Sequence, residues 1–163
     1  ENDLLKVYSN GEINYKLKGI HAKVSVIWNF EAPEGAGDTH FSIMRGSKCN
    51  LVIRQGAEQQ YKPTLYAEPV GKEDPAVFES QLSQIVSSVL SVKYPGLKLV
   101  KLSDHQWIID IPAEFREGHE AHFARVTEKY LGFLVDGKLP EWEVPNMIVK
   151  YYITTGALQL ARQ

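Results

Sequence analysis

The chain has 163 residues, 44% of them hydrophobic, which suffices for one domain with a proper core. Its 18 Lys and Arg against 20 Asp and Glu give a net charge of −2 with no run of like charge, which excludes the basic footprint of a nucleic-acid or anionic-membrane surface. The single cysteine, Cys49, excludes an intramolecular disulfide and a Cys-rich zinc site. No apolar run approaches the ~20 residues of a bilayer span, and the opening "ENDLLKVYSN" lacks a basic, apolar signal pattern. No membrane partner is therefore expected; the compartment stays open, with the cytoplasm favoured over export. Leu4 to Tyr8 already reads as a strand with no initiator Met before it, which predicts a start cut from a longer protein.

The first half has period two. In "LLKVYSNGEINYKLKG" the Asn10-Gly11 pair between apolar-rich segments predicts a hairpin turn, because both central residues of a type I′ turn need positive φ. In "GIHAKVSVIWNFEAP" the residues Ile20, Ala22, Val24, Val26, Trp28 and Phe30 share one face, and His21, Lys23, Ser25 and Asn29 the other, as in a half-buried strand. Residues 4–30 thus read as antiparallel strands. "HFSIMRG" and "NLVIRQG", separated by Gly46-Ser47-Lys48, are two further strands, and "TLYAEP" at 64–69 is a fifth.

The second half changes period. Asp74-Pro75 reads as an N-cap and first helical residue, with Phe78, Leu82, Ile85, Val86 and Val89 at helical spacing until Pro95-Gly96. "LKLVKLSDHQWIIDIP" predicts a hairpin turning near Ser103-Asp104-His105. "GHEAHFARVTEKYLGFLVDGKLP" predicts a second helix closed by Gly137 and Pro140. A last helix begins at Val144-Pro145 and is expected to turn Ile148, Tyr152, Thr155 and Leu158 inward. The sum is an α+β fold over residues 1–163 as a single domain: an open, mostly antiparallel or mixed sheet with helices packed on one face.

Candidate chemistry is sparse. The glycine-rich "EAPEGAGDTHFSIMRG" offers Gly35-Ala36-Gly37-Asp38-Thr39-His40, which lacks the third glycine of a dinucleotide fingerprint and leads into a strand, so it reads as a turn between strands. His40 beside Asp38 or Ser42 has no nucleophile-elbow context. His119 and His122 stand at i, i+3 with Glu120 between them, but H-E-x-x-H needs i, i+4 and no third ligand is identifiable, so no metal is assigned. Tyr61, Tyr66, Trp107 and Trp142 read as core or interface aromatics. The strand face of His21, Lys23 and Ser25 must be solvated, packed on a partner or turned toward a ligand. With His40 these are the substrate or interface candidates; no catalytic, cofactor-binding or metal residue is assigned.

"NGEINYKLKGIHAKVSVIWNFEAPEGAGDTHFSIMRGSKCNLVIRQG" resembles the C-terminal domain of the glucose–fructose oxidoreductase, inositol dehydrogenase and MocA-like family. There, strands ending in a "w…p.g" stretch lead into "i.G.kg.l.i", matched by Ile43, Gly46, Lys48, Leu51 and Ile53. "HFARVTEKYLGFLVDGKLPEWEVPNMIVKYYITTGALQLA" is similar to the family's penultimate helix, its "dGk.P" break at Asp136 to Pro140 and its closing helix. The likeness extends to a bacterial subgroup described as putative oxidoreductases with a C-terminal domain of its own type.

The resemblance implies that NAD or NADP binds an N-terminal Rossmann domain absent from this chain, and that a lysine and an Asp-x-x-x-His motif for proton transfer also lie elsewhere. "GDTH" at 37–40 has the wrong spacing, so His40 inherits no catalytic role. It further implies an open sheet that contributes to the substrate pocket and forms the subunit interface of a homo-oligomer. The expected function is thus the substrate-binding and oligomerisation domain of an NAD(P)-dependent oxidoreductase acting on a sugar, polyol or derivative, inactive alone. The alternative is a non-catalytic carbohydrate- or protein-binding module sharing the same sheet.

Overall fold

A computed structural model of the chain describes residues 9–28 and 33–163. It divides into two compact units, one from Glu1–Glu31 and Glu120–Gln163, the other from Ala32–His119. The expected strand at Leu4 to Tyr8, and the positions Asn29 and Phe30, lie outside the described residues. The α+β class holds, with antiparallel pairing throughout the described strands.

In the first unit, β1 (Gly11–Leu17) pairs with β2 (Ile20–Val26). The turn is not at Asn10-Gly11, as the sequence predicts, but at Lys18-Gly19, whose φ of 48° and 84° are the two positive values that a type I′ turn requires. Asn10 lies at the other end of the hairpin, where its Oδ1 accepts the backbone N–H of Trp28. Ile13↔Val24, Tyr15↔Ala22 and Leu17↔Ile20 form the apolar face; Glu12↔Ser25, Asn14↔Lys23 and Lys16↔His21 form the polar one. The apolar face is not the covered strand side expected from the alternation: along β2 only Ala22 is half-buried, while Ile20, Val24 and Val26 are exposed, as is Trp28 beyond it.

The helices of this unit are α3 (His119–Asp136), whose first residue is counted with the second unit, and α4 (Glu143–Ala161). Gly137, at φ 64°, ends α3 as expected. The inward face of α4 differs from expectation: Val149, Ile153, Gly156 and Ala157 are half-buried, whereas Ile148, Tyr152, Thr155 and Leu158 are exposed. Apolar residues occur all round α4, so periodicity selects no single face, and a shift of one residue turns a helix by about 100°.

The second unit is a five-stranded sheet of β3 (His40–Arg45), β4 (Cys49–Gln55), β5 (Thr64–Pro69), β6 (Lys98–Ser103) and β7 (Gln106–Asp110), in the order β3-β4-β5-β7-β6. The chain leaves β5 through α1 (Pro75–Ile85), reaches the edge as β6, and returns by a hairpin beside β5. Asp74 caps α1, its Oδ1 accepting the Ala76 N–H at 2.7 Å, with Pro75 at the first position. A π-helical turn, Val86–Leu90, then leads into α2 (Ser91–Lys93). The expected apolar stripe breaks across this segment: Phe78 and Val86 are buried, Leu82 is half-buried, and Ile85 and Val89 are exposed. The wider π turn shifts the phase of the helix, and Ser88 and Ser91 hydroxyls donate to the Gln84 and Val86 carbonyls there.

The core lies on both faces of this sheet. Trp107, Ala67 and Ile109 point toward α1, where the Phe78 and Trp107 rings sit 5.0 Å apart. Val52 and Tyr66 are buried on the opposite face. Lys101 ties the edge strand to the helix, its Nζ lying 3.2 Å from Glu79 and 2.9 Å from Asp104. These carboxylates hold the Lys101 ammonium above its usual range, Asp104 contributing most, and Lys101 in turn holds Asp104 low. No helix among the described residues is long and apolar enough to cross a membrane.

Candidate functional site

The structure divides the sequence candidates between the two units. His21, Lys23 and Ser25 lie exposed on the polar face of the β1–β2 hairpin. Lys23 Nζ pairs with Glu12 Oε2 at 2.6 Å, and Asn14 Nδ2 donates to Glu12 Oε1 at 3.0 Å. The hydrogen bond from Lys23, then that from Asn14, holds the Glu12 carboxyl below its usual range. His40 belongs to the other unit, where it opens β3 opposite Gln55 and is exposed.

The glycine-rich stretch turns the chain as expected. Ala36 N–H donates to the Pro33 carbonyl at 3.0 Å, Gly35 takes φ 78°, and His40 begins a strand, so no helix N-terminus is there to receive a phosphate. His119 and His122 both fall in the first turn of α3. Among the described residues no group of three or more His, Cys, Asp or Glu could hold a metal ion.

A more developed constellation stands on the face of the five-stranded sheet turned away from α1. Directly opposed residues of antiparallel strands share a face, so Ile43, Val52, Tyr66, Ile108 and Val100 form one row across it. Arg54, two residues along from Val52, reaches over the Tyr66 ring with its guanidinium carbon 5.0 Å from the centroid. Its Nη2 meets Glu68 Oε1 at 2.9 Å, and Gln106 Nε2 donates to the same oxygen at 2.8 Å. Gln59 Nε2 donates to the Tyr66 hydroxyl at 3.0 Å. The guanidinium thus covers the buried ring, Glu68 holds the guanidinium and is itself met by Gln106, and Gln59 holds the ring's hydroxyl.

This group offers donors and acceptors at fixed spacing, suited to hydroxyls or to a polar partner surface, and contains no nucleophile beside a base. Its members come from β4, β5, β7 and the 3-10 turn at Ala57–Gln59, which sequence reading did not connect. The available signal was a charged residue at an inward-alternating position of two apolar strands, Arg54 in "NLVIRQG" and Glu68 in "TLYAEP". Tyr66 and Trp107 are buried as expected of core aromatics, whereas Trp142 is exposed.

Farther along the same face, Thr64, Leu65, Val100, Ile108, Asp110 and Arg116 line a depression of about 200 Å³. Arg116 donates to the Ile111 carbonyl at 3.1 Å and to Asp110 at 3.4 Å. Its volume falls short of the roughly 300 Å³ at which small-molecule sites begin. Cys49 is half-buried, and burial pushes its thiol up, away from the reactive thiolate.

No curated protein matches the chain. Among solved structures it is similar to a putative oxidoreductase from Parabacteroides merdae, with 57% identity over 99% of this chain and a TM-score of 0.92. The chain spans 37% of the length of that protein. The family described as "Putative oxidoreductase C terminal domain" matches residues 1–162, and the chain belongs to it.

Proposed function

We propose that this chain is the substrate-binding and oligomerisation domain of an NAD(P)-dependent oxidoreductase acting on a sugar, polyol or derivative. The finer family is then the glucose–fructose oxidoreductase, inositol dehydrogenase and MocA-like one that the sequence resembles. One observation carries the reading: a family of oxidoreductase C-terminal domains takes in nearly the whole chain, while its solved relative is far longer. Hydride chemistry belongs, in this reading, to an N-terminal Rossmann domain that holds NAD or NADP. The present residues bind and position substrate. Arg54, Glu68 and Gln106 support that role because a carboxylate between a guanidinium and an amide suits the alternating donors and acceptors of a polyol.

Calorimetric titration tests it. The 163-residue chain should bind neither NAD nor NADP, whereas the full-length protein should bind one of them and reduce it in the presence of a polyol. Saturable micromolar binding by the chain alone would overturn the division of labour. A full-length protein without dinucleotide affinity would favour the non-catalytic binding module.

Self-association through an open sheet face belongs to the same proposal, with the hairpin face of His21, Lys23 and Ser25 as its candidate surface. Register decides the probe. Ser25→Glu would place a second carboxylate opposite Glu12 within one protomer, whereas His21→Glu would face Lys16 and leave the hairpin intact. In a two-fold interface the new charge also meets its own copy. His21→Glu should therefore weaken the dimer, by light scattering, without altering circular dichroism. A wild type that stays monomeric at high micromolar concentration removes the idea.

A further inference from the structure

All the buried residues of the described chain lie in the second unit; the described residues of the first include none. That unit nevertheless carries most of the exposed large apolar side chains. On α3 they form a helical stripe: Phe123, Val126, Tyr130 and Leu134 recur at three- and four-residue intervals and all are more than half exposed. Two neighbouring depressions of about 290 and 350 Å³ run along the stripe, sharing Tyr130, Phe133 and Leu139, with Met147 of α4 on the wall of the first. The charged residues on their walls are Lys129, Lys138 and Glu143, and Lys129 is folded over the Trp142 ring at 4.7 Å and the Phe133 ring at 5.7 Å. Contiguous apolar surface on this scale marks a docking site.

We propose that the α3–α4 face is where the remainder of the parent oxidoreductase packs, so that the first unit acquires its core from chain outside these 163 residues. The inference rests on the reading that the chain is one part of a longer enzyme, and adds the surface by which the parts are joined. Length supports this occupant: the solved relative, alike in fold over 99% of this chain, has 63% of its own length beyond the matched region. Extent supports it too. From Phe123 to Gly137 the helix rises by about 20 Å, which calls for a packed layer rather than a short peptide.

The test compares hydrogen exchange in the full-length protein and in the 163-residue chain, both wild type. The amides of α3 and α4 should exchange at least roughly tenfold faster in the chain alone, while those of β4, β5 and β7 keep similar protection in both. The chain alone should also enhance the fluorescence of an apolar dye. Val126→Glu should lower the melting temperature of the full-length protein and leave that of the chain unmoved. Equal protection of α3 and α4 in the two proteins, with the chain a monomer, would overturn the proposal by showing that the chain covers this face itself. Equal protection with the chain a discrete dimer would overturn it in favour of a second copy. None of these readouts involves a dinucleotide, so a full-length protein that fails to bind NAD or NADP but protects α3 and α4 breaks the enzymatic reading alone.

Discussion

The two units are built from similar amounts of apolar sequence, yet only one of them buries it. In the five-stranded sheet, Trp107 and Ala67 are fully covered, and Val52 and Tyr66 are buried on the other face. In the unit of the hairpin and the two long helices, Tyr152 is 80% exposed and the most protected residues are only half-buried. Secondary structure forms equally well in both. The difference lies in the number of layers: a sheet that meets a helix on one face and its own polar roof on the other closes a core, whereas a two-stranded hairpin is marginal without further packing.

The largest effect that tests this contrast is the removal of a ring from each unit. Trp107→Ala leaves a cavity beside Phe78 and should cost about 3–5 kcal/mol in denaturant unfolding. Tyr152→Ala in the same chain should shift stability by no more than about 0.5 kcal/mol. Comparable losses at the two sites would break the comparison. The contrast sharpens at the β3–β4 connection, where Gly46 donates its N–H to the Cys49 carbonyl at 3.1 Å and a Cβ would collide with that same oxygen. Gly46→Ala should destabilise the sheet by about 1–3 kcal/mol, read from the same unfolding curves. A neutral result would mean that the hairpin relaxes freely.

The legible parts of the sequence follow the same division. In the second unit the strand at 64–69, the cap at Asp74 and the turn near Ser103-Asp104-His105 could all be read, because each is set by local chemistry that packing reinforces. What could not be read there was long-range: β7 inserts between β5 and β6, and Gln106 meets Glu68 across 38 residues of sequence. In the first unit the sequence did not reveal which faces are covered. The alternation along β2 correctly separates Ile20, Ala22 and Val24 from His21, Lys23 and Ser25, but pattern alone does not say whether the apolar side is covered. On α4 the ring of apolar residues gave no preferred direction. The hairpin turn was missed because Asn10-Gly11 has the favoured composition, while Lys18-Gly19 has the required geometry.

A smaller effect concerns the helix that closes the core. Asp74→Ala removes the acceptor for the Ala76 N–H and should cost about 1 kcal/mol, whereas Asp74→Ser, which restores an acceptor, should recover most of it. Thermal unfolding of the three proteins is the measurement. An equal loss in both variants would mean that Asp74 acts through its charge rather than as a cap.

The smallest effect belongs to the polar face of the hairpin, where Glu12 is held by Lys23 and Asn14. A carboxyl with a lowered folded-state pKa contributes stability above its unfolded value, and that contribution disappears as the pH falls through the folded one. The hairpin should therefore loosen on acidification, below the ordinary glutamate range, and not on raising the pH. Because the pair is open to water, molar salt should screen it and reduce the shift. Carboxyl NMR titration of Glu12 reads this directly: Lys23→Ala should raise the Glu12 pKa toward its ordinary value, with Asn14 retaining a smaller part of the depression. An unchanged titration in Lys23→Ala would show that the ion pair does not persist in solution. The polar face would then be as loosely held as the apolar one, and the first unit would depend wholly on what packs against it.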